Sequence, residues 1–106
     1  MVICDPFAFD MPVLFASPAF YDFTLYDRGD VIGRNCRFLQ GKGTDPIARL
    51  QLGAGLAAQA RVIVRILNYK ADGTPFWNAL DIRPMLDPRD RLACFVGFQN
   101  PEPYTG

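Results

Sequence analysis

The fold is decided by residues 60–99, ARVIVRILNYKADGTPFWNALDIRPMLDPRDRLACFVGFQ. Residues 60–69 are rich in β-branched side chains, which favour strands. Asp72 and Gly73 form an Asp-Gly pair typical of β-hairpins, and residues 76–85 form the returning strand. Residues 87–90 turn again before a third strand over residues 92–99. The segment therefore predicts three long antiparallel strands.

The residues before this segment predict two short strands and several short helices. The strands lie at residues 2–4 and 12–16, and residues 99–103 are expected to stop any strand or helix. Ser17 and Pro18 mark a helix start. Phe20, Phe23 and Leu25 would form the apolar side of that helix, which residues 27–29 would end.

The region between this helix and residue 60 predicts two further helices. Residues 30–33 read as one turn or a loop, and residues 35–39 as a short helix closed by residues 41–43. Thr44 or Asp45 can cap the next helix, with Pro46 in its first turn. Its apolar positions would be Ile47, Leu50, Leu52 and Leu56. The resulting order is typical of an α+β domain with helices on one face of a sheet.

Length and composition restrict the class of protein. The 106 residues are enough for one domain, residues 1–106, with one core and one small-molecule pocket. Eleven basic residues balance eleven acidic ones, which argues against binding to nucleic acid or to an anionic membrane. The absence of histidine excludes histidine acid–base chemistry and His–metal sites.

The cysteines and the N-terminus indicate a cytoplasmic protein. The three cysteines, at positions 4, 36 and 94, have neither an even count nor zinc spacing, so we expect reduced thiols and no metal. Cys4 and Cys94 read as ordinary small buried hydrophobic residues. No run is long enough to span a membrane, and the N-terminus lacks the features of a secretory signal.

Each predicted long strand carries one side-chain amide in line with apolar neighbours. Alternation places Asn68 with Val64 and Ile66, Asn78 with Leu80 and Ile82, and Gln99 with Phe95 and Gly97. On a shared inner face, three amides would suit a flat heterocycle with alternating donors and acceptors, and Gly97 would let its ring approach the backbone. The alternative is that the amides, each near a turn at a strand end, face water or satisfy the turns.

Residues 33–40, GRNCRFLQ, carry a resemblance to a known family. All eight positions resemble the signature of the light-oxygen-voltage (LOV) domains, a flavin-binding branch of the PAS superfamily. The resemblance extends over nearly the whole chain, at the spacings that LOV domains show. It is carried by Leu67-Asn68-Tyr69-Lys70, Asp72-Gly73, Phe76-Trp77-Asn78, Arg83-Pro84 and Phe95-Val96-Gly97-Phe98-Gln99.

The resemblance implies a PAS fold, with a five-stranded antiparallel sheet and short helices on one face enclosing flavin mononucleotide (FMN). It also implies a blue-light receptor, not an enzyme, in which Cys36 forms a reversible adduct with the excited flavin that reverts thermally in the dark. Asn68 and Asn78 would bond the polar edge of the ring, with Gln99 near its reactive nitrogen. Asn35 and Gln40 would bond the ribityl chain, and Arg37 the phosphate.

The chain departs from the family pattern at three positions. Many relatives have a second phosphate-binding arginine at the position of Gly53, for which Arg49 can partly substitute; we therefore expect riboflavin to compete with FMN. Leu80 stands where relatives often have Phe, beside Phe95 and Gly97 on the predicted ring wall. Val13 stands where relatives have a larger aliphatic residue near the flavin, and we expect its size to affect the lifetime of the adduct.

Other functions compete with the photoreceptor. One is a PAS-type interaction or dimerisation module with a vestigial ligand site, another a flavin-based fluorescent reporter scaffold, and a third a flavoenzyme. The sequence contains no effector domain and no helices flanking the core, so the effector is unknown and we expect a short receptor or a core cut from a longer one. A homodimer would form through the sheet face or the missing terminal helices; a monomer is the alternative.

Overall fold

The protein folds as one antiparallel sheet with short helices packed on one face. The structure is a computed structural model, and it describes residues 1–104. The strands are β1 (Val2–Cys4), β2 (Val13–Ala16), β3 (Val62–Tyr69), β4 (Pro75–Leu86), β5 (Leu92–Phe98) and β6 (Pro101–Pro103). The helices are α1 (Pro18–Thr24), α2 (Arg28–Val31), a 3₁₀ helix (Cys36–Leu39) and α3 (Pro46–Ala57).

The sheet has the order β2-β1-β5-β4-β3, so the five predicted strands form its main path. All of these pairs are antiparallel. The chain enters the sheet beside its centre, crosses over through the helices, and returns as the long β3–β4–β5 meander. Residues 62–98 therefore form the platform on which the helices lie.

Residues 99 and 100 end the third long strand, as expected, but the expectation for residues 101–103 is wrong, because they form β6, a sixth strand of the sheet. β6 pairs with the first residues of β4, where β5 does not reach. Asn100 links the two strands, since its backbone N–H and C=O both bond Ala79. Pro101 and Pro103 lack N–H donors, but a short strand at an edge tolerates this loss.

The end of α1 differs from the prediction, and α2 takes up part of the segment 30–33 that was predicted as one turn or a loop. α1 ends at Thr24, and the next residue, Leu25, adopts a left-handed conformation with a φ of 65°. Leu25 is exposed, although the sequence placed it on the apolar side of the helix. Residues 27–29, predicted to end α1, instead begin α2, with Asp27 at its N-cap. Phe20 does lie in the core, as expected.

Helix α3 begins as predicted, because the Asp45 side chain accepts a hydrogen bond from the Ile47 N–H. Its predicted apolar face is only half correct. Leu52 and Leu56 are partly buried, and Leu52 packs against the buried side chains of β3. Ile47 and Leu50, however, are 64% and 73% exposed. Ala48 packs instead against Val62, Val64 and Ile66 of the sheet. Small side chains let the helix approach β3 closely, so they define the buried face.

The core consists of two groups of buried side chains. The first joins β1 and β2 to α1, α2 and the 3₁₀ helix, and includes Val2, Cys4, Val13 and Leu39. The second joins α3 to β3 through Ala48 and the inner side chains of that strand. None of the helices in residues 1–104 combines the length and the apolar character needed to cross a membrane.

Candidate functional site

A cavity of about 400 Å³ lies between the two groups of the core. Val2, Cys4 and Leu39 of the first group and Ile66 of the second lie on its wall. The volume is within the range of small-molecule sites, which are mostly apolar with a few polar groups. Eleven of the twelve predicted site residues line it: Asn35, Cys36, Arg37, Gln40, Arg49, Asn68, Asn78, Leu80, Phe95, Gly97 and Gln99.

The three amides meet in this cavity because their strands are neighbours. β3 and β4 pair so that Asn68 lies opposite Phe76 and Asn78 opposite Ile66. The Asn78 Nδ2 donates to the Asn68 Oδ1 at 3.1 Å, and the Asn68 Nδ2 donates to the Leu67 carbonyl at 3.2 Å. The amides therefore face inward, and water does not explain Asn68 and Asn78, which are 3% and 1% exposed.

Two amide oxygens on this wall have no partner within the described part of the chain. They are Asn78 Oδ1 and Gln99 Oε1, both buried. A buried polar atom without a hydrogen bond costs about 1–3 kcal/mol, so such atoms in a cavity indicate a ligand or ordered water. The cavity fits a flat polar ring whose donors would satisfy these oxygens.

The loop that carries Cys36 is fixed by Gly33 and Asn35. Gly33 has a φ of 86°, which favours glycine, and its N–H donates to the Val13 carbonyl on β2. Asn35 caps the 3₁₀ helix: its Oδ1 accepts from the Arg37 N–H, and its Nδ2 donates to the Asp10 carbonyl at 2.7 Å. These bonds hold Cys36 against the cavity and already engage both polar ends of Asn35.

A second cysteine, Cys4, also lines the cavity and lies next to Cys36. The two sulfur atoms are 3.8 Å apart. Their contact lowers the pKa of Cys4, whereas the same contact, together with burial, raises the pKa of Cys36 well above its ordinary value. Cys36 therefore stays a protonated thiol at neutral pH.

The basic residues of the cavity lie at its solvent-exposed part. The Arg37 side chain is 59% exposed and forms an ion pair with Asp10. The Arg49 Nη2 donates to the Gly41 carbonyl at 2.8 Å. Gly53 follows Arg49 by one turn of α3, lines the cavity, and has nothing within 4 Å of where its Cβ would stand.

Comparison with known proteins places this architecture in a family. Residues 1–100 match the model of a PAS domain. The structure of the LOV domain from the blue-light activated histidine kinase of Erythrobacter litoralis is similar with a TM-score of 0.92 and 40% identity; the match covers 97% of this chain and 94% of that one. This chain is a LOV domain of the PAS superfamily.

Sequence relatives support the same assignment. This LOV domain is 50% identical over 88 residues to Phototropin-1A of Oryza sativa subsp. japonica, a match that covers 83% of the chain and 10% of that protein. It is 45% identical over 97 residues to blue-light-activated histidine kinase 1 of Erythrobacter litoralis, covering 92% of the chain and 27% of that protein. The domain thus spans a minor part of these relatives.

Two features of the LOV domain differ from what its sequence suggested. Val13 does not line the cavity; it is fully buried in the core group against which Cys36 packs. Cys4, taken from the sequence as an ordinary buried residue, does line it. Val2 and Cys4 alternate along β1 and so share the inner face, and that spacing was the available signal.

Proposed function

We propose that this LOV domain is a blue-light photoreceptor that binds flavin and uses Cys36 to form a reversible bond to the flavin ring. One observation carries the proposal: the Cys36 thiol lines one cavity with the amides of Asn68 on β3, Asn78 on β4 and Gln99 just after β5. The family assignment supports it, since the relatives include blue-light-activated kinases, and a flavin analogue was used in work on a LOV domain whose structure has a TM-score of 0.91 to this one.

The residues divide into a part that holds the ring and a part that reacts. The amides of Asn68, Asn78 and Gln99 present donors and acceptors to the ring edge, and Leu80 and Phe95 supply apolar walls. Bound flavin supplies the absorption of blue light and an electrophilic ring carbon. Cys36 would supply the sulfur that bonds to this carbon, and its thiol proton would pass to the neighbouring ring nitrogen, beside which Gln99 is expected. The loop that Gly33 and Asn35 fix provides the proximity on which such a reaction depends.

An absorption measurement tests the photoreceptor. We expect purified protein to be yellow, to bleach under blue light, and to recover in the dark. Cys36→Ala should keep the colour, lose the bleaching and fluoresce more strongly, whereas Cys94→Ala, whose side chain is not on the cavity wall, should bleach like the parent protein. A colourless protein would contradict the proposal and favour an interaction module; a flavin that bleaches only with a substrate would favour an enzyme.

We further propose that the natural flavin is FMN and that riboflavin binds almost as well. Arg37 would hold the phosphate, but Asp10 already pairs with this guanidinium. Gly53 offers no second charge, and Arg49, which also lines the cavity, donates to the Gly41 carbonyl. Phosphate would therefore gain less here than in a site with two free arginines. Chromatography of the extracted flavin and titration of the apoprotein with both flavins test this. FMN alone, with no riboflavin binding, would contradict it.

The variant Gly53→Arg tests the same proposal by adding the missing charge to the cavity wall. Space is open at this position on the cavity wall, so a guanidinium can reach a ligand there. A hydrogen bond to a charged group contributes about 1.5–3 kcal/mol. This part of the cavity is exposed to solvent, so we expect the lower value, which corresponds to roughly a tenfold gain in preference for FMN. Riboflavin affinity should stay nearly constant, and an equal change for both flavins would show that the new side chain does not contact phosphate.

A further inference from the structure

Two of the three cysteines meet at the cavity, although 32 residues separate them in the chain. Cys4 lies at the end of β1 and Cys36 begins the 3₁₀ helix, so the pair joins the sheet to the helical layer. The third cysteine, Cys94 on β5, is outside the cavity wall. The photochemistry proposed above uses Cys36 alone and leaves Cys4 without a role.

We propose that Cys4 and Cys36 form a reversible disulfide, and that this bond makes the light response of the domain dependent on redox conditions. The proposal rests on the proposed function, because its consequence is the loss of the thiol that Cys36 would contribute. The disulfide itself is a property of the two cysteines and can be observed without light.

The geometry favours closure of this bond. A disulfide brings its sulfur atoms to about 2.0 Å, so the two atoms, now 3.8 Å apart, need only a small approach. Both side chains border the cavity and are not packed on every side.

The chemistry requires a two-electron oxidant, for which a small-molecule disulfide such as oxidised glutathione is the chemical class. In the net exchange its S–S bond breaks, the Cys4–Cys36 bond forms, and two small thiols leave with the two electrons and two protons. The lowered pKa of Cys4 favours its thiolate, the form that attacks a disulfide, and Cys36 is the neighbouring thiol that completes the exchange.

The oxidised domain would still hold flavin but could not respond to light. The Cys36 sulfur would be bonded to Cys4, so it could not bond to the flavin ring. Absorption in the dark would persist, because the three amides that face the ring are unchanged. Reduction would restore the response.

The experiment treats the flavin-loaded protein in the dark with diamide, which takes up two electrons and two protons from a pair of thiols. After desalting, the bleaching under blue light is measured, and then measured again after reduction with dithiothreitol. Trypsin digestion without reduction follows. Cleavage after Arg28, Arg34, Arg37 and Arg91 puts the three cysteines in separate peptides, so mass spectrometry identifies the linked pair.

We expect a peptide that contains Cys4 linked to one that contains Cys36, and a loss of most of the bleaching that dithiothreitol reverses. Cys94→Ser should behave in the same way. In the Cys4→Ser variant, treatment with diamide should not change the extent of bleaching. If the reduced protein bleaches but oxidation produces no Cys4–Cys36 link, the disulfide proposal is overturned and the photoreceptor proposal is not. A link in a protein that never bleaches would support the disulfide and contradict the photoreceptor.

Discussion

At the scale of single residues, Gln99 and Asn78 show how unpartnered polar atoms destabilise a binding site that holds no ligand. Each has a buried oxygen with no partner among the described residues. The two amides differ in one respect: Asn78 also donates to Asn68, whereas no hydrogen bond is found for the side chain of Gln99 in this part of the chain. Replacing them should therefore have opposite effects on the apoprotein.

We expect Gln99→Leu to stabilise the apoprotein by about 1 kcal/mol and to weaken flavin binding, because it removes an unpartnered acceptor that a ligand would satisfy. Asn78→Leu should destabilise the apoprotein, since it leaves the Asn68 Oδ1 without its donor. Urea unfolding of both apoproteins, followed by flavin titration, measures the two effects. A destabilised Gln99→Leu apoprotein would show that Gln99 already has a structural partner.

The sequence predicted this part of the site well, because alternation along a strand determines which side chains share a face. It was less informative about Cys4 and Val13. Both lie near the start of the chain in short strands, and which of them borders the cavity depends on how β1 and β2 pack under the 3₁₀ helix. That arrangement is set by tertiary contacts such as the bonds between Val13, Gly33 and Arg34.

At the scale of the elements, the contact between α3 and β3 depends on Gly55. A Cβ at this position would stand 2.1 Å from the Val62 Cγ2, too close for any real contact. Val62 is buried and β-branched, so it has few rotamers with which to move away. Gly53, two residues earlier in the same helix, has open space around its Cα.

We therefore expect Gly55→Ala to destabilise the domain by about 1–3 kcal/mol, the usual cost of an overpacked contact. Gly53→Ala should stabilise it by up to about 1 kcal/mol, because alanine is the better helix former. Thermal unfolding of the two variants provides the measurement. Equal shifts would show that helix propensity alone, and not the contact with Val62, determines the effect of Gly55.

Local signals in the sequence explain which elements could be predicted and which could not. The β3–β4 and β4–β5 hairpins have local signals, with Asp72 and Gly73 at one turn and residues 87–90 at the other. The face of α3 was predicted only in part: Leu52 packs on the core as expected, whereas Leu50 is exposed and the smaller Ala48 is buried against β3. β6 was missed because its pairing depends on Asn100 and the free edge of β4, not on strand propensity.

At the scale of the whole molecule, the cavity divides the core into two groups that contact the same ligand site. Val2, Cys4 and Leu39 border it from one group and Ile66 from the other. A ligand in the cavity therefore contacts both groups, and its binding free energy adds to the stability of the entire domain and not of one layer.

Removal of flavin should consequently lower the melting temperature of the domain strongly. Ligand at a thousandfold excess over its dissociation constant stabilises a protein by about 4 kcal/mol. For a domain of this size each kcal/mol shifts the melting temperature by about 4–8 °C, so we expect a decrease of roughly 15 °C or more. Circular dichroism melts of the apoprotein at increasing FMN concentrations measure this effect.

The Cys36→Ala variant separates this stabilisation from photochemistry. In the dark it should show the same dependence on FMN as the parent protein, because binding relies on the amides and apolar walls and not on the thiol. The transition should remain single and cooperative at every FMN concentration, since both core groups border the ligand. A melting temperature independent of FMN, or a second transition that alone responds to it, would contradict a site shared by the two groups.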